Sequence, residues 1–336
     1  MRKRRITAAV AGLSICAIYL ANASWLAPEP RGVPGVLAHR GVHQTFRREG
    51  LDPYKTCTAT RIYPPTNPYL ENTLPSMRAS FAAGATAIEV DVHPTTDGEF
   101  AVFHDWTLDC RTNGHGVTRE KPMSYLRTLD LGYGYTADGG KTFPFRGKGV
   151  GMMKTLDEVI KAFPGRQILI NIKSADPTES ERLVAYLKSR GHPTDRRLWV
   201  WAERAAGDRL RGLAPDAFVL NKSRLKSCSY RYLALGWSGY VPDVCRGGAI
   251  GVPINLRWAF WGWPNRFLKR MKDAGVLVML AGPRGGREPL ISDATQLNAL
   301  PRGFDGLIVT DYIGRIGPEA RRRWPISQTP SARSPR

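Results

Sequence analysis

The chain has 336 residues, 42% of them hydrophobic and 23% charged, with a formal net charge of +20. That composition excludes a disordered or fibrous chain and supplies enough apolar residues for one large core. The positive charge suits anionic partners such as phosphate esters or lipid headgroups. No zinc-finger, homeodomain or RNA-binding motif accompanies it, so nucleic acid is not an expected partner.

At the N-terminus Met1-Arg2-Lys3-Arg4-Arg5 is basic, residues 6–20 are apolar and uncharged, and Ala21-Asn22-Ala23 has the small-x-small form of a signal-peptidase site. Residues 1–26 are therefore expected to be a signal peptide or an N-terminal membrane anchor, since residues 6–26 approach the ~20 residues that a span needs. Cys16 follows Ile15, which is too bulky for a lipoprotein site. Either way the domain is expected to be exported, periplasmic or extracellular, or membrane-anchored by residues 6–26. Cys57, Cys110, Cys228 and Cys245 fit an oxidising compartment. They allow three pairings; the local choice is Cys57–Cys110 with Cys228–Cys245, because the latter closes a short loop.

A Pro-rich spacer leads to a first strand over residues 36–39. Residues 42–70 read as a long polar loop, tethered through Cys57. Glu71-Asn72-Thr73-Leu74-Pro75 opens a helix, with Asn72 or Thr73 as cap and Pro75 in the first turn, and Gly84 stops it. In residues 87–93, Ala87, Ile88, Val90 and Val92 are apolar and β-prone. Glu89 and Asp91 alternate with them and share one face of the strand. The turn Thr96-Asp97-Gly98-Glu99 precedes a strand over 100–103 that ends in His104-Asp105. Thr155 caps a helix over 156–163. A strand over 167–173 carries Asn171 and Lys173, and a helix over 179–190 leads to a strand over 198–201. Further strands are expected at 217–220, 249–253, 276–280 and 307–310, with a helix over 264–274. Residues 317–336, rich in Arg, Ser and Pro, read as a disordered basic tail.

Strands alternating with helices predict a parallel sheet with right-handed crossovers. The expected fold is an α/β (β/α)8 TIM barrel with loop insertions over residues 33–316. The chain offers one strand candidate more than the eight places of such a barrel. The segments 217–220 and 249–253 compete for that demotion.

Reactive groups of a (β/α)8 barrel sit at the carboxyl ends of its strands. His39 with Arg40, Glu89 with Asp91, His104, and Asn171 with Lys173 all fall at predicted strand ends. Glu89 and Asp91 can ligate a hard divalent cation, Ca²⁺ or Mg²⁺, which would polarise a phosphoryl oxygen. Arg40 and Lys173 would offset the remaining negative charge. His39 and His104 suit proton transfer near neutral pH. There is neither a Ser nucleophile elbow nor a Walker loop, which sets aside acyl transfer and nucleotide hydrolysis.

Several motifs resemble those of the glycerophosphodiester phosphodiesterase family. They are Ala38-His39-Arg40-Gly41, Glu71-Asn72-Thr73, Ile88-Glu89-Val90-Asp91-Val92-His93, Phe103-His104-Asp105, Arg111-Thr112-Asn113-Gly114 and Gly306-Leu307-Ile308-Val309-Thr310-Asp311. The likeness is dense from residue 36 to about 175 and sparse beyond. It implies a (β/α)8 barrel and metal-dependent hydrolysis of glycerophosphodiesters to an alcohol and glycerol 3-phosphate. It implies His39 and His104 as acid/base pair, Glu89 and Asp91 as metal ligands, Arg40 and Lys173 as phosphate contacts, and Glu71 in a supporting role. Asn171 stands where the family offers a further Glu ligand; an amide oxygen can still ligate, without charge, so weaker metal binding is expected. The 42–70 loop is longer than in compact members, and Ala281-Gly282-Pro283 replaces a Trp-Thr-Val-Asn run.

Two alternatives share the barrel. One is a phospholipase D-like enzyme acting on lysophospholipid or sphingolipid headgroups, suited by Trp258, Trp261 and Trp263. The other is a non-catalytic barrel with a weakened metal site. The expected partner is a small-molecule phosphodiester, with membrane association through the N-terminus and no protein partner.

Overall fold

Capped helices between short apolar strands set the architecture. The computed structural model describes residues 2–52 and 56–325. Helix α1 (Arg2–Asn22) precedes the body, which begins with β1 (Gly35–His39) and α2 (Leu74–Ala83). Thr73 caps α2 by accepting from the Ser76 N–H, and Gly84 ends it at a φ of 112°. Next come β2 (Ala87–Pro94), β3 (Phe100–Val102), the short α3 (Met123–Leu126) and α4 (Leu156–Ala162). A reciprocal capping box between Thr155 and Glu158 starts α4. Strand and helix then alternate through β4 (Gln167–Ile172), α5 (Pro177–Ser189), β5 (Trp199–Trp201), α6 (Arg204–Leu213), β6 (Phe218–Leu220) and α7 (Lys222–Leu235). The chain closes with β7 (Ala249–Pro253), α8 (Asn265–Asp273), β8 (Leu277–Ala281), β9 (Leu307–Thr310) and α9 (Ile313–Arg323).

The strands run in the order β6-β5-β4-β2-β1-β9-β8-β7 and their neighbours are parallel, which makes a nearly closed (β/α)8 barrel. β6 and β7 stand at the two ends of that order. Leu225 of α7 packs into the seam: a Cβ on Gly251 would lie 2.5 Å from its Cδ2. Inward residues Leu37, Ala87, Leu169, Trp199, Phe218 and Leu307 fill the barrel, while their outward neighbours Ile88, Ile170, Val200 and Ile308 pack under the helices.

The barrel wall differs from expectation in one respect. The segment outside it is Phe100–Val102, which pairs antiparallel with β2, Val92 opposite Val102. Both 218–220 and 249–253 are wall strands. The cause is local. The Thr95–Glu99 turn is a hairpin connection, and a tight hairpin can only return a strand antiparallel; a parallel neighbour needs a crossover of a dozen residues or more. β2 overruns the rim as far as Pro94, and β3 brings the chain back to its level.

The C-terminal segment also differs. Residues 317–323, read as tail, continue α9, because Ile313, Ile316, Ala320 and the following Trp324 bury an apolar stripe against the body. The rest of the expected tail, 326–336, lies outside the described residues. Both expected disulfides form, Cys57–Cys110 and Cys228–Cys245. The first ties the 42–70 loop to a second apolar core over the mouth, built on Phe46, Ile62, Phe103, Leu126, Tyr135 and Phe145.

Candidate active site

β1, β2 and β4 lie side by side, with His39 in register with Glu89 and Asp91 in register with Asn171. Their inward side chains meet at the carboxyl ends of the strands. Glu89 and Asp91 are both buried, Asp91 fully. Each of their oxygens accepts from a nearby donor. The Asn171 amide donates to Glu89 Oε1 (2.9 Å) and Asp91 Oδ1 (3.0 Å). Lys173 Nζ donates to Asp91 Oδ1 at 3.1 Å. On the other side, Asn72 Nδ2 donates to Asp91 Oδ2 (2.9 Å), with Arg40 Nε 3.4 Å from the same oxygen. The Arg40 backbone N–H donates to Glu89 Oε2 at 3.2 Å.

Backbone shape serves this cluster. Arg40 and Asn72 both have φ of 58°, a left-handed conformation rare outside glycine. The two are locked together, Asn72 N–H donating to Arg40 O at 3.0 Å, and Asn72 Oδ1 accepts from the Asp91 N–H. Strain of this kind persists where surrounding bonds fix it, and it clusters at functional sites. Gly41 follows at φ 82°, where a Cβ would meet Ser76 Oγ at 2.4 Å.

Each histidine has a carboxylate on one ring nitrogen. His39 Nδ1 is 2.6 Å from Asp311 Oδ1, and its Nε2 is 3.8 Å from Glu89 Oε2. His104 Nδ1 is 2.7 Å from Asp105 Oδ1. The hairpin that removed β3 from the wall is what returns His104 to this level: Phe103 N–H donates to Asp91 O at 3.0 Å. Asp105 continues into a buried chain of ions, through Arg111 to Glu71 (3.1 Å) and from Glu71 to Arg40 (3.2 Å). All the residues singled out from sequence, His39, Arg40, Glu71, Glu89, Asp91, His104, Asn171 and Lys173, thus belong to one connected cluster.

The environment pulls the two histidines apart. Burial disfavours a charged His39, but the Asp311 and Glu89 carboxylates outweigh it and raise the pKa above its ordinary value. Burial, joined by the Arg40 charge, presses His104 down to about 4. Glu89 is pushed up to about 7 by burial and by the Asp91 charge beside it. Asp91, though buried, is held well below the usual carboxylate range by Lys173 and Arg40.

Two buried carboxylates with one still short of positive charge are suitable chemistry for a hard cation. Among the described residues no group of three His, Cys, Asp or Glu side chains could hold a metal. The Asn171 amide turns its NH2 to both carboxylates; rotated by half a turn it would present Oδ1 as a third, neutral donor. The set therefore fits a cation with two charged donors and one neutral one.

Four participants were missed as functional residues. Asp311 lies 272 positions from His39 and ends β9; Asp105 follows His104 directly. Arg48, from the long loop, bridges Asp311 (2.6 Å) and Glu288 (2.9 Å). His43 is buried, its Nε2 3.7 Å from Asp311 Oδ1, and burial lowers its pKa. Asp105 and Asp311 had local signals, the first beside a strand-end histidine and the second at the end of an expected strand; Arg48 and His43 had none.

The sequence model of the glycerophosphoryl diester phosphodiesterase family matches residues 39–224, more than half of the chain. The chain belongs to this family, in which a divalent metal is generally required. Curated glycerophosphodiester phosphodiesterases of Caldanaerobacter subterraneus subsp. tengcongensis and Bacillus subtilis are each 32% identical to it, over 123 and 124 residues. Those stretches cover 35% of this chain and 47% and 41% of the relatives, so the chain spans about half or less of the curated relatives it matches. A glycerophosphoryl diester phosphodiesterase domain of Mycobacterium tuberculosis has a similar structure, with a TM-score of 0.59 at 16% identity, covering 87% of this chain and 99% of that one. A phosphodiesterase of Oleispira antarctica, solved in complex with the product sn-glycerol-3-phosphate, has a TM-score of 0.51 at 20% identity and covers 85% of this chain and 96% of that one. At these identities the structural likeness establishes the fold alone.

Proposed function

We propose that the chain hydrolyses glycerophosphodiesters to an alcohol and glycerol 3-phosphate, with His39 and His104 as the acid/base pair. The observation that carries this reading is the pair of histidines, each oriented by a carboxylate on Nδ1, around one buried Glu89–Asp91 pair. Their opposed shifts divide the roles. His104, neutral near pH 7, takes a proton through Nε2 from the water that attacks phosphorus. His39, whose pKa the Asp311 and Glu89 carboxylates raise, gives one to the leaving alkoxide. Arg40 and Lys173 meet the phosphate charge, and Glu71 fixes Arg40 by its ion pair. Glu89, Asp91 and the Asn171 oxygen would hold a divalent cation, Ca²⁺ or Mg²⁺, which when bound polarises a phosphoryl oxygen. The two disulfides support a place outside the cytoplasm, periplasmic or extracellular.

The test compares release of choline and glycerol 3-phosphate from glycerophosphocholine with turnover of lysophosphatidylcholine, in EDTA, Ca²⁺ and Mg²⁺. Cleavage of the soluble diester is expected. Turnover of the lysolipid alone would favour the phospholipase D-like alternative. Turnover of neither, in any metal, would favour a non-catalytic barrel.

A further inference from the structure

Helix α1 is apolar and uncharged over residues 6–20 and its span is not buried against the body; residues 6–22 would extend about 26 Å, at the short end of what a bilayer core of ~30 Å takes. Its end is not loose. Arg270 of α8 donates to Asn22 Oδ1 (2.8 Å) and to Ala21 O (2.9 Å), and it also reaches Gly236 O at 3.2 Å. Asn22 Nδ2 donates to Trp237 O at 2.7 Å. Ser24 Oγ accepts from the Asn265 N–H at 2.9 Å, and Ala23 and Ala27 are buried. Arg270 sits at the carboxyl end of α1, where a cation also meets the helix dipole favourably. A socket of this kind has a use only if residues 21–22 stay attached. Cleavage after Ala23 would remove both α1 acceptors of Arg270.

The socket also has a position in the barrel. Trp237 follows the end of α7, and Arg270 is in the last turn of α8. Helices of a (β/α)8 barrel end at the amino ends of the strands, opposite the catalytic mouth. The chain stays on that side after leaving the socket. Gly303 is pressed against Pro30, just ahead of β9, and Gly35 N–H donates to Gly306 O at the start of β1. Around the exit of α1, Trp25 is 68% exposed, with Leu26, Leu235, Trp237 and Tyr240 all more than 40% exposed. Exposed Trp and Tyr beside an apolar helix are what a membrane interface selects. The basic run Arg2 to Arg5 at the other end of α1 would stay on the cytoplasmic side, putting the barrel and its disulfides outside.

We propose that α1 is retained as a membrane anchor, and that its socket seats the strand-amino face of the barrel on the bilayer, so that the catalytic mouth faces the aqueous phase. Trp25, Trp237 and Tyr240 form the interfacial contact. What the mouth then meets rests on the phosphodiesterase reading: a water-soluble diester rather than a lipid held in the same membrane. The anchor and its orientation do not depend on that reading.

The test uses the full chain, expressed in a bacterial host and recovered from membranes, then reconstituted in phosphatidylcholine–phosphatidylglycerol vesicles that contain a brominated lipid. Intact mass should show residues 1–23 still present after a carbonate wash. Tryptophan fluorescence should be quenched, and the double variant Trp25→Phe, Trp237→Phe should lose most of that quenching. Trp106→Phe, beside His104 at the mouth, should leave it unchanged. A soluble product cleaved at Ala23 would overturn the proposal. So would quenching that survives the double variant or that depends on Trp106. Neither readout requires turnover, so both stand apart from the outcome of the diester assay.

Discussion

On β9, β1, β2 and β4 the barrel carries Asp311, His39, Glu89, Asp91 and Asn171 at its mouth. At the matching level β5 and β6 carry Trp201 and Leu220. The register runs directly from one half to the other: Asp91 opposite Asn171, Asn171 opposite Trp201, Trp201 opposite Leu220. The polar half buries charge, and each buried charge there has a partner of opposite sign or a hydrogen bond, as burial demands. The apolar half has no such constraint and can change shape residue by residue at small cost. On the proposed reading, chemistry is confined to one arc and the other arc shapes the space for the alcohol.

Substitutions in the two arcs should behave differently, and the size of the difference is the test. His104→Ala should lower kcat/KM for glycerophosphocholine by roughly 10²–10⁴-fold, the usual worth of a positioned acid or base. Asp311→Asn should likewise lower it, by up to about 10⁴-fold, because an amide keeps the His39 ring in place but no longer stabilises its charged form. It should also move the pH profile. Asp311 raises the His39 pKa, so its loss lowers it, and the alkaline fall in kcat/KM should begin at lower pH. An unshifted alkaline limb would remove His39 as the acid. Asn171→Glu should tighten divalent-cation binding by about tenfold, read by calorimetry, because a third charged oxygen joins the set. Unchanged affinity would place position 171 outside the cation's reach. In the apolar arc, Trp201→Phe should raise KM for a bulky diester by roughly threefold with kcat unchanged. A large fall in kcat there would erase the distinction between the arcs.

The polar arc was largely legible in the sequence, because alternation along a strand places Glu89 and Asp91 on one face without knowledge of the rest of the fold. His104 was found for an incomplete reason. It was read as the end of a wall strand, whereas a hairpin off β2 delivers it; the Asp97-Gly98 turn already held that information. Arg48 and Glu288 could not be assigned roles, since their meaning lies in contacts across more than 200 positions, which no local period encodes; Asp311 stood at an expected strand end, and only its pairing with His39 was hidden. The helical turn at 317–323 was hidden by arginines that face solvent while Ile316 and Ala320 carry the packing. The family match stops at residue 224, so β7 and β8 rest on topology alone, while β9 with Asp311 just after it has topology and the Gly306–Asp311 motif behind it.

The most direct measurement is ³¹P NMR of glycerophosphocholine incubated with the full chain and with its His39→Ala variant, divalent metal supplied. The account predicts that the diester resonance gives way to that of glycerol 3-phosphate with the parent chain and persists with the variant. Phosphocholine as the product, or equal turnover by both proteins, would contradict it.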